Sequence, residues 1–153
     1  DLVTGVQTCA LPIFGGDYTS GTEFNFAADA AAAAALFTNV TTVPIFSVGF
    51  TVGNSIFCAP PATATTTNSP VKLAYSLFSG GVTTRQSWDP LAVSFAALGA
   101  SIGISYGGTN GTNTVNSGTG ANAWTATAGN ASYAGISTSA ASVGSVLDFL
   151  LKQ

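Results

Sequence analysis

The sequence predicts an α/β fold, a sheet layered with helices, and three observations carry that expectation. Six alanines, Ala30–Ala35, form a helical run that is followed by the strand-like apolar stretch Val43–Phe50. Two further helical segments open at Pro70 and Pro90, and a strand-like alternation follows at Ser101–Tyr106. The chain then closes on an apolar stripe at helical spacing, Val143, Val146, Leu147, Leu150 and Leu151. Helices and strands that succeed one another in this way bury their apolar faces by packing in layers.

Taken in order, the first element is Gly15–Phe26, read as the end of a strand, a glycine-bearing loop and the approach to a helix. Asp29 is placed to cap a helix from Ala30 to about Thr38, because its carboxylate can accept from the free amides of the first turn. Val43–Phe50 reads as a buried strand with Pro44 near its start, and Gly53–Cys58 as the opening of another helix. Pro- and Thr-rich Ala59–Ser69 is expected to be a surface loop. Ser69 and Pro70 look like an N-cap and first helical residue. Val71, Ala74, Tyr75 and Phe78 then recur at helical spacing until Gly80 and Gly81 stop the helix. A helix from Pro90 to about Leu98 ends at Gly99. Gly107–Gly129, rich in Gly, Asn and Thr, is expected to form a hairpin or long loop that turns Val115 and Trp124 inward, Trp124 as a packing residue. Ser137 and Ser139 offer caps for the final helix.

Residues 1–13 stand apart. Val3–Ile13 reads Val-Thr-Gly-Val-Gln-Thr-Cys-Ala-Leu-Pro-Ile, which matches codon for codon the translation of a common sequencing adapter. The adapter's next base is T, which also begins the Phe codons, so Phe14 fits the junction. On this reading residues 1–13 are an artefact to be set aside. Residues 14–153 are then expected to be a partial domain that lacks its natural N-terminal half.

Composition removes several classes of function. Charged residues are 6 % of the 153 and the net charge is −3, against about 25 % charged in a typical soluble domain. Neither a nucleic-acid partner nor a membrane is expected from that balance, and no apolar run reaches the roughly 20 residues of a membrane helix. There is no histidine, which removes His-based zinc sites, triads and pH switches. Cys9 and Cys58 make no disulfide framework. With no base to activate it, Cys58 reads as a small buried hydrophobe.

Two short stretches carry candidate chemistry. In Glu23-Phe24-Asn25-Phe26, an extended backbone would point Glu23 and Asn25 one way and the two phenylalanines the other. A carboxylate that accepts and an amide that both donates and accepts can together grip vicinal hydroxyls. The same residues are also compatible with a solvated loop. In Ser87-Trp88-Asp89-Pro90, Asp89 and Pro90 suit an N-cap and first helical position, with Trp88 packed against the core, or the same two side chains form a site.

Both stretches resemble motifs of the inosine/uridine-preferring nucleoside hydrolase family. The Gly pair, short loop, Glu23-Phe24-Asn25-Phe26 and Ala-rich helix are similar to its ribose-binding segment, which implies ribose-contacting roles for Glu23 and Asn25. Family members often continue Asp-Pro-Glu-Ala-Ala, whereas here Asp29 is followed by alanines, and Phe14 stands where Met is usual. Asp89 before Pro90 resembles the family's second signature, where this Asp is a calcium ligand. Most members have His before it. Trp88 at that position resembles the purine-specific members, in which Trp stacks on the base and assists its departure.

The resemblance implies an open, mostly parallel, Rossmann-like sheet of which this chain is the C-terminal portion. It also implies calcium-dependent hydrolysis of the N-glycosidic bond of ribonucleosides, purines preferred. The family's Asp-x-Asp-x-x-x-Asp-Asp cluster, which supplies the base and most metal ligands, is absent from this sequence. The chain alone is therefore expected to be inactive. The expected partner is a ribonucleoside, with homo-oligomerisation of the intact protein left open.

Two alternatives remain. One is a glycosidase using Glu23 and Asp89 as its carboxylate pair. The other is an extracellular binding or wall-associated module of all-β architecture, to which the Thr/Asn/Gly richness and the sequons at Asn39, Asn110 and Asn130 point. The same features lean slightly towards a secreted or vacuolar location.

Overall fold

The structure, a computed structural model, describes residues 17–59, 69–79 and 84–152. Residues 1–16, the Pro/Thr-rich stretch 60–68 and the glycine stop at 80–81 lie outside the described residues. The elements are, in order, β1 (Ser20–Thr22), α1 (Phe24–Ala28), α2 (Ala30–Asn39), β2 (Ile45–Ser47), α3 (Phe50–Ser55), β3 (Phe57–Cys58), α4 (Pro70–Ser79), β4 (Arg85–Gln86), α5 (Trp88–Leu98), a 3₁₀ turn (Gly99–Ile102), β5 (Ile104–Val115), β6 (Ala121–Thr125), β7 (Ala131–Ile136) and α6 (Ala140–Leu151). The fold is mixed α/β.

The expected helices form where local chemistry starts and stops them. Asp29 caps α2, its Oδ1 accepting from the Ala32 amide at 2.9 Å. Ser69 begins α4 with its Oγ accepting from the Lys72 amide at 3.3 Å. Ser139 opens α6, accepting from the Ser142 amide at 3.1 Å. The region 43–58 departs from expectation. Only Ile45–Ser47 is strand, Phe50–Ser55 is helix, and Phe57–Cys58 is a short strand. Gly49 is the N-cap of α3, and the helix that starts at Phe50 keeps the apolar run from continuing as one strand.

The main sheet has five strands in the order β1-β6-β5-β7-β2. Three of its four pairings are antiparallel and only β2–β7 is parallel, so the expectation of a mostly parallel sheet is not met. The reason is connection length. A parallel neighbour requires a crossover of a dozen or more residues, whereas β5, β6 and β7 follow one another through short turns. In the first turn Asn116 Oδ1 accepts from the Gly118 and Thr119 amides at 2.9 and 3.0 Å. The expected hairpin is therefore present, and it extends β5 to twelve residues.

Tyr133 and Ala134 are adjacent on β7 and point to opposite faces. They belong to different clusters, so each face of the sheet carries its own core. On one face Ile56, Leu91, Phe95, Ile104, Val143 and Leu147 join α5 and α6 to the sheet. On the other, Tyr18, Phe26 and Ala33 pack with Phe37, Val115, Trp124 and Tyr133. Trp124 meets Tyr133 edge to face at 5.0 Å and crosses the backbone at Gly111, where any Cβ would overlap the indole. Trp124 is thus a packing residue. The Asn130 sequon is likewise structural, its amide donating to the Val40 and Val43 carbonyls at 2.7 and 2.6 Å.

Leu147 is fully buried, whereas Val93 on α5 is 49 % exposed. Leu147→Ala is expected to lower unfolding free energy by about 2–5 kcal/mol, and Val93→Ala to change it by no more than about 0.5 kcal/mol. Urea unfolding followed by circular dichroism measures both.

Candidate functional site

Glu23 does not continue an extended segment. It is the N-cap of α1, with φ −70° and ψ 141°, and the helix starts at Phe24. The alternation expected from an extended Glu23–Phe26 is accordingly lost, because the carboxylate captures the free amides ahead of it. Its Oε2 accepts from the Asn25 and Phe26 amides at 2.8 and 3.1 Å. Glu23 and Asn25 nevertheless remain together, the Asn25 side-chain amide donating to Glu23 Oε1 at 3.3 Å. Burial pushes the Glu23 carboxyl above its ordinary range, the amides of Phe26, Asn25 and Phe24 pull it partly back, and the charge of Asp17 adds a smaller push upward.

Two buried asparagines hold this loop in place. Asn122 accepts from the Glu23 amide at 3.3 Å and donates to the Asp17 and Tyr18 carbonyls at 3.1 and 2.7 Å. Asn113 donates to the Tyr18 carbonyl at 2.9 Å. The Tyr18 phenol, pushed up by burial, is drawn partly back by the neighbouring Asn113 and Ser47 side chains.

The second motif lies at the start of α5. This helix begins at Trp88, two residues ahead of Pro90, so Asp89 is a first-turn residue and Ser87 the cap. Ser87 makes no side-chain capping bond. Its hydroxyl instead donates to Cys58 Sγ at 2.9 Å, and Cys58 in turn meets the Tyr75 hydroxyl at 3.2 Å. Trp88 is seated firmly. Phe50 stacks on it at 5.8 Å and 25°, and its indole N–H donates to the Phe50 carbonyl at 3.0 Å. Gly53 lies so close that a Cβ there would overlap the indole. The remaining surface of Trp88 borders a cleft of about 300 Å³, shared with Asp89, Arg85, Gln86, Tyr75 and Phe78.

The two motifs are connected indirectly. Glu23 and Asn25 do not border the cleft that holds Trp88 and Asp89, so the structure does not bring the two motifs into one cleft, and a Glu23–Asp89 glycosidase pair is without support. Asp17 lies between the motifs. Its carboxylate accepts from the Tyr18 amide at 2.7 Å and faces Gly49, next in the chain to Phe50. Sequence reasoning passed over Asp17 and Arg85; the Gly15-Gly16 pair directly ahead of Asp17 was the available signal.

Calcium requires about 6–8 oxygen ligands. Among the described residues, Asp89 is the only acidic one bordering the cleft, and no group of three or more His, Cys, Asp or Glu is placed to hold a metal ion. The described residues therefore do not complete the calcium site that the resemblance implies. Compared with protein-family models, with curated proteins and with solved structures, the chain matches none.

Two outcomes are expected. A carboxyl whose folded pKa is raised binds its proton more tightly when folded, so its contribution is full below the ordinary value of 4.5 and is lost as pH rises through the raised folded value. The stability difference between the natural chain and Glu23→Gln should therefore fall as pH rises past that value, in urea titrations run across a pH series. A difference that rises with pH would show instead that the capping amides dominate. Gly53→Ala should displace the indole, shift Trp88 fluorescence and lower stability by about 1–3 kcal/mol.

Proposed function

We propose that residues 14–153 carry the ribose- and base-contacting part of a nucleoside hydrolase, an enzyme that cleaves the N-glycosidic bond of ribonucleosides, with purines preferred. The observation that carries this reading is Trp88 bordering a cleft beside Asp89, the pair that resembles the signature of purine-specific members. Stacking on an aromatic ring contributes about 1–3 kcal/mol per base. The ring's negative face also favours an electron-poor, protonated purine, which is the better leaving group.

In this reading Glu23 accepts from, and Asn25 donates to, the ribose hydroxyls. Both have capacity left, since a carboxylate offers about four acceptor positions and Glu23 Oε1 takes one bond from Asn25 at 3.3 Å. Calcium, if the intact enzyme uses it, would draw one ligand from Asp89 and the others from outside the described residues. Gripping the sugar and stacking the base are what this chain's own residues can do. The sheet would then be the C-terminal portion of a larger, Rossmann-like one, continuing in parallel from β2, the edge strand already paired that way with β7.

The rival reading as a non-catalytic binding module loses its main expectation, all-β architecture, to the helices on both faces of the sheet. Isothermal titration tests the proposal. Inosine is expected to bind about tenfold more tightly than 2′-deoxyinosine, and Glu23→Ala to erase that difference, since each lost hydrogen bond to a charged group is worth about 1.5–3 kcal/mol. The chain alone is expected to release no base. Calcium-dependent turnover by it would overturn that expectation, and equal binding of the two nucleosides would overturn the ribose roles.

A further inference from the structure

We propose that Asn110 is a site of spontaneous modification, deamidating through a succinimide to aspartate and isoaspartate, and that the isoaspartate form loosens the seat of Trp124 on β5. The inference stands apart from the nucleoside reading. Asn110 is the one asparagine of the chain that is followed by glycine. A succinimide closes when the amide nitrogen of the next residue reaches the side-chain carbonyl carbon, and a glycine there has no Cβ in the path. The fold leaves Asn110 open to that reaction. The residue is exposed. Between the Gly108–Tyr133 and Gly111–Ala131 pairs, Thr109 and Asn110 stand opposite Ser132 alone, so a bulge takes them out of the regular ladder. Asn110 also has φ 52°, the only left-handed conformation of a non-glycine among the described residues, and a strained one for an L residue. Asn113, Asn116, Asn122 and Asn130 engage their carboxamides in hydrogen bonds, whereas that of Asn110 has no partner among the described residues.

In the first step the Gly111 nitrogen bonds to Asn110 Cγ and the Cγ–Nδ2 bond breaks. The side-chain nitrogen leaves as ammonia, taking the proton that Gly111 gave up. Water then opens the ring at one of its two imide bonds. Cleavage at Cγ leaves aspartate. Cleavage at the main-chain carbonyl leaves isoaspartate, whose backbone runs through Cβ and Cγ and is one methylene longer. Either product adds a negative charge to a chain of net charge −3. The longer backbone is the consequential one here. The Asn110 carbonyl accepts from the Gly129 amide at 3.0 Å, and the Asn110 amide donates to Ser132 Oγ at 3.3 Å. Gly111 lies so close to Trp124 that a Cβ there would overlap the indole. An added methylene turns the Gly129 acceptor into a carboxylate outside the main chain and moves Gly111 beneath the ring. A close-packed core does not absorb a methylene without rearrangement.

Incubation of the full chain at mildly alkaline pH, followed by peptide mapping, tests the assignment. The peptide that holds Asn110 is expected to gain the mass of an amide-to-acid exchange and to split into aspartate and isoaspartate forms, ahead of every other asparagine. Tryptophan fluorescence should change and the urea midpoint should fall as isoaspartate accumulates. Asn110→Gly accepts a left-handed backbone and has no carboxamide, so it should show neither change over the same period. Freshly prepared Asn110→Asp adds the charge without the methylene and should keep the fluorescence of the unincubated chain. An Asn110 that stays intact in the folded chain while a short peptide spanning Thr109–Thr112 converts would overturn the site. Conversion with unchanged fluorescence and urea midpoint, or an equal change in fresh Asn110→Asp, would overturn the link to Trp124.

Discussion

The amide of Asn122 joins parts of the chain that are about a hundred residues apart. On one side it accepts from the Glu23 backbone, and on the other it donates to the carbonyls of Asp17 and Tyr18. Both ends of the loop that carries Glu23 are thus tied to β6. Asn122 is 6 % exposed, so the groups it satisfies have no ready replacement in solvent, and leaving a buried polar group unmatched costs about 1–3 kcal/mol. The cap on α1, the placement of Asp17 and the contact between Glu23 and Asn25 all follow from that tether. A chain with few charges has few ion pairs to use, and here buried amides do the specifying work.

The cleft depends on a second, independent fixture. Trp88 is a helix-start residue whose freedom has been removed on one face by Phe50, at its N–H by the Phe50 carbonyl, and at its edge by Gly53. Preorganisation of this kind lowers the entropy lost when a ligand binds. Beneath it, Ser87, Cys58 and Tyr75 form a buried polar chain that anchors the start of α5 to β3 and α4. The cysteine and the serine are both used in holding the cleft wall. The two short sequence signals belong to the separate cores on the two faces of the sheet, and Asp17, facing Gly49 beside Phe50, is the contact between them.

Much of the fold was legible because its causes are local. Asp29, Ser69 and Ser139 cap the helices expected of them, and the apolar stripe of the last helix buries Val143 and Leu147 fully. Strand pairing was not legible in the same way. The Gly- and Asn-rich stretch from 107 to 129 announces a turn, but the antiparallel sheet it imposes overrides the parallel arrangement that alternating helices and strands suggest. At the site, the types and the proximity of Glu23 and Asn25 were readable, while their geometry was not. A carboxylate facing free amides at a nascent helix end turned an expected strand into a cap.

The sequence by itself determined the helices that begin at Ala30, Pro70 and Ala140, and which side chains carry carboxylate, amide or aromatic groups, because propensity, capping and functional groups are properties of residues and their near neighbours. Tertiary structure decided the rest. It set the order and direction of the strands, gave the sheet a core on each face, drew Asp17 between the two motifs and brought Arg85 to the cleft that Trp88 borders. These are contacts between residues distant in the chain, and they arise from the joint requirement to bury apolar surface and to pair buried polar groups, which no local window of sequence contains.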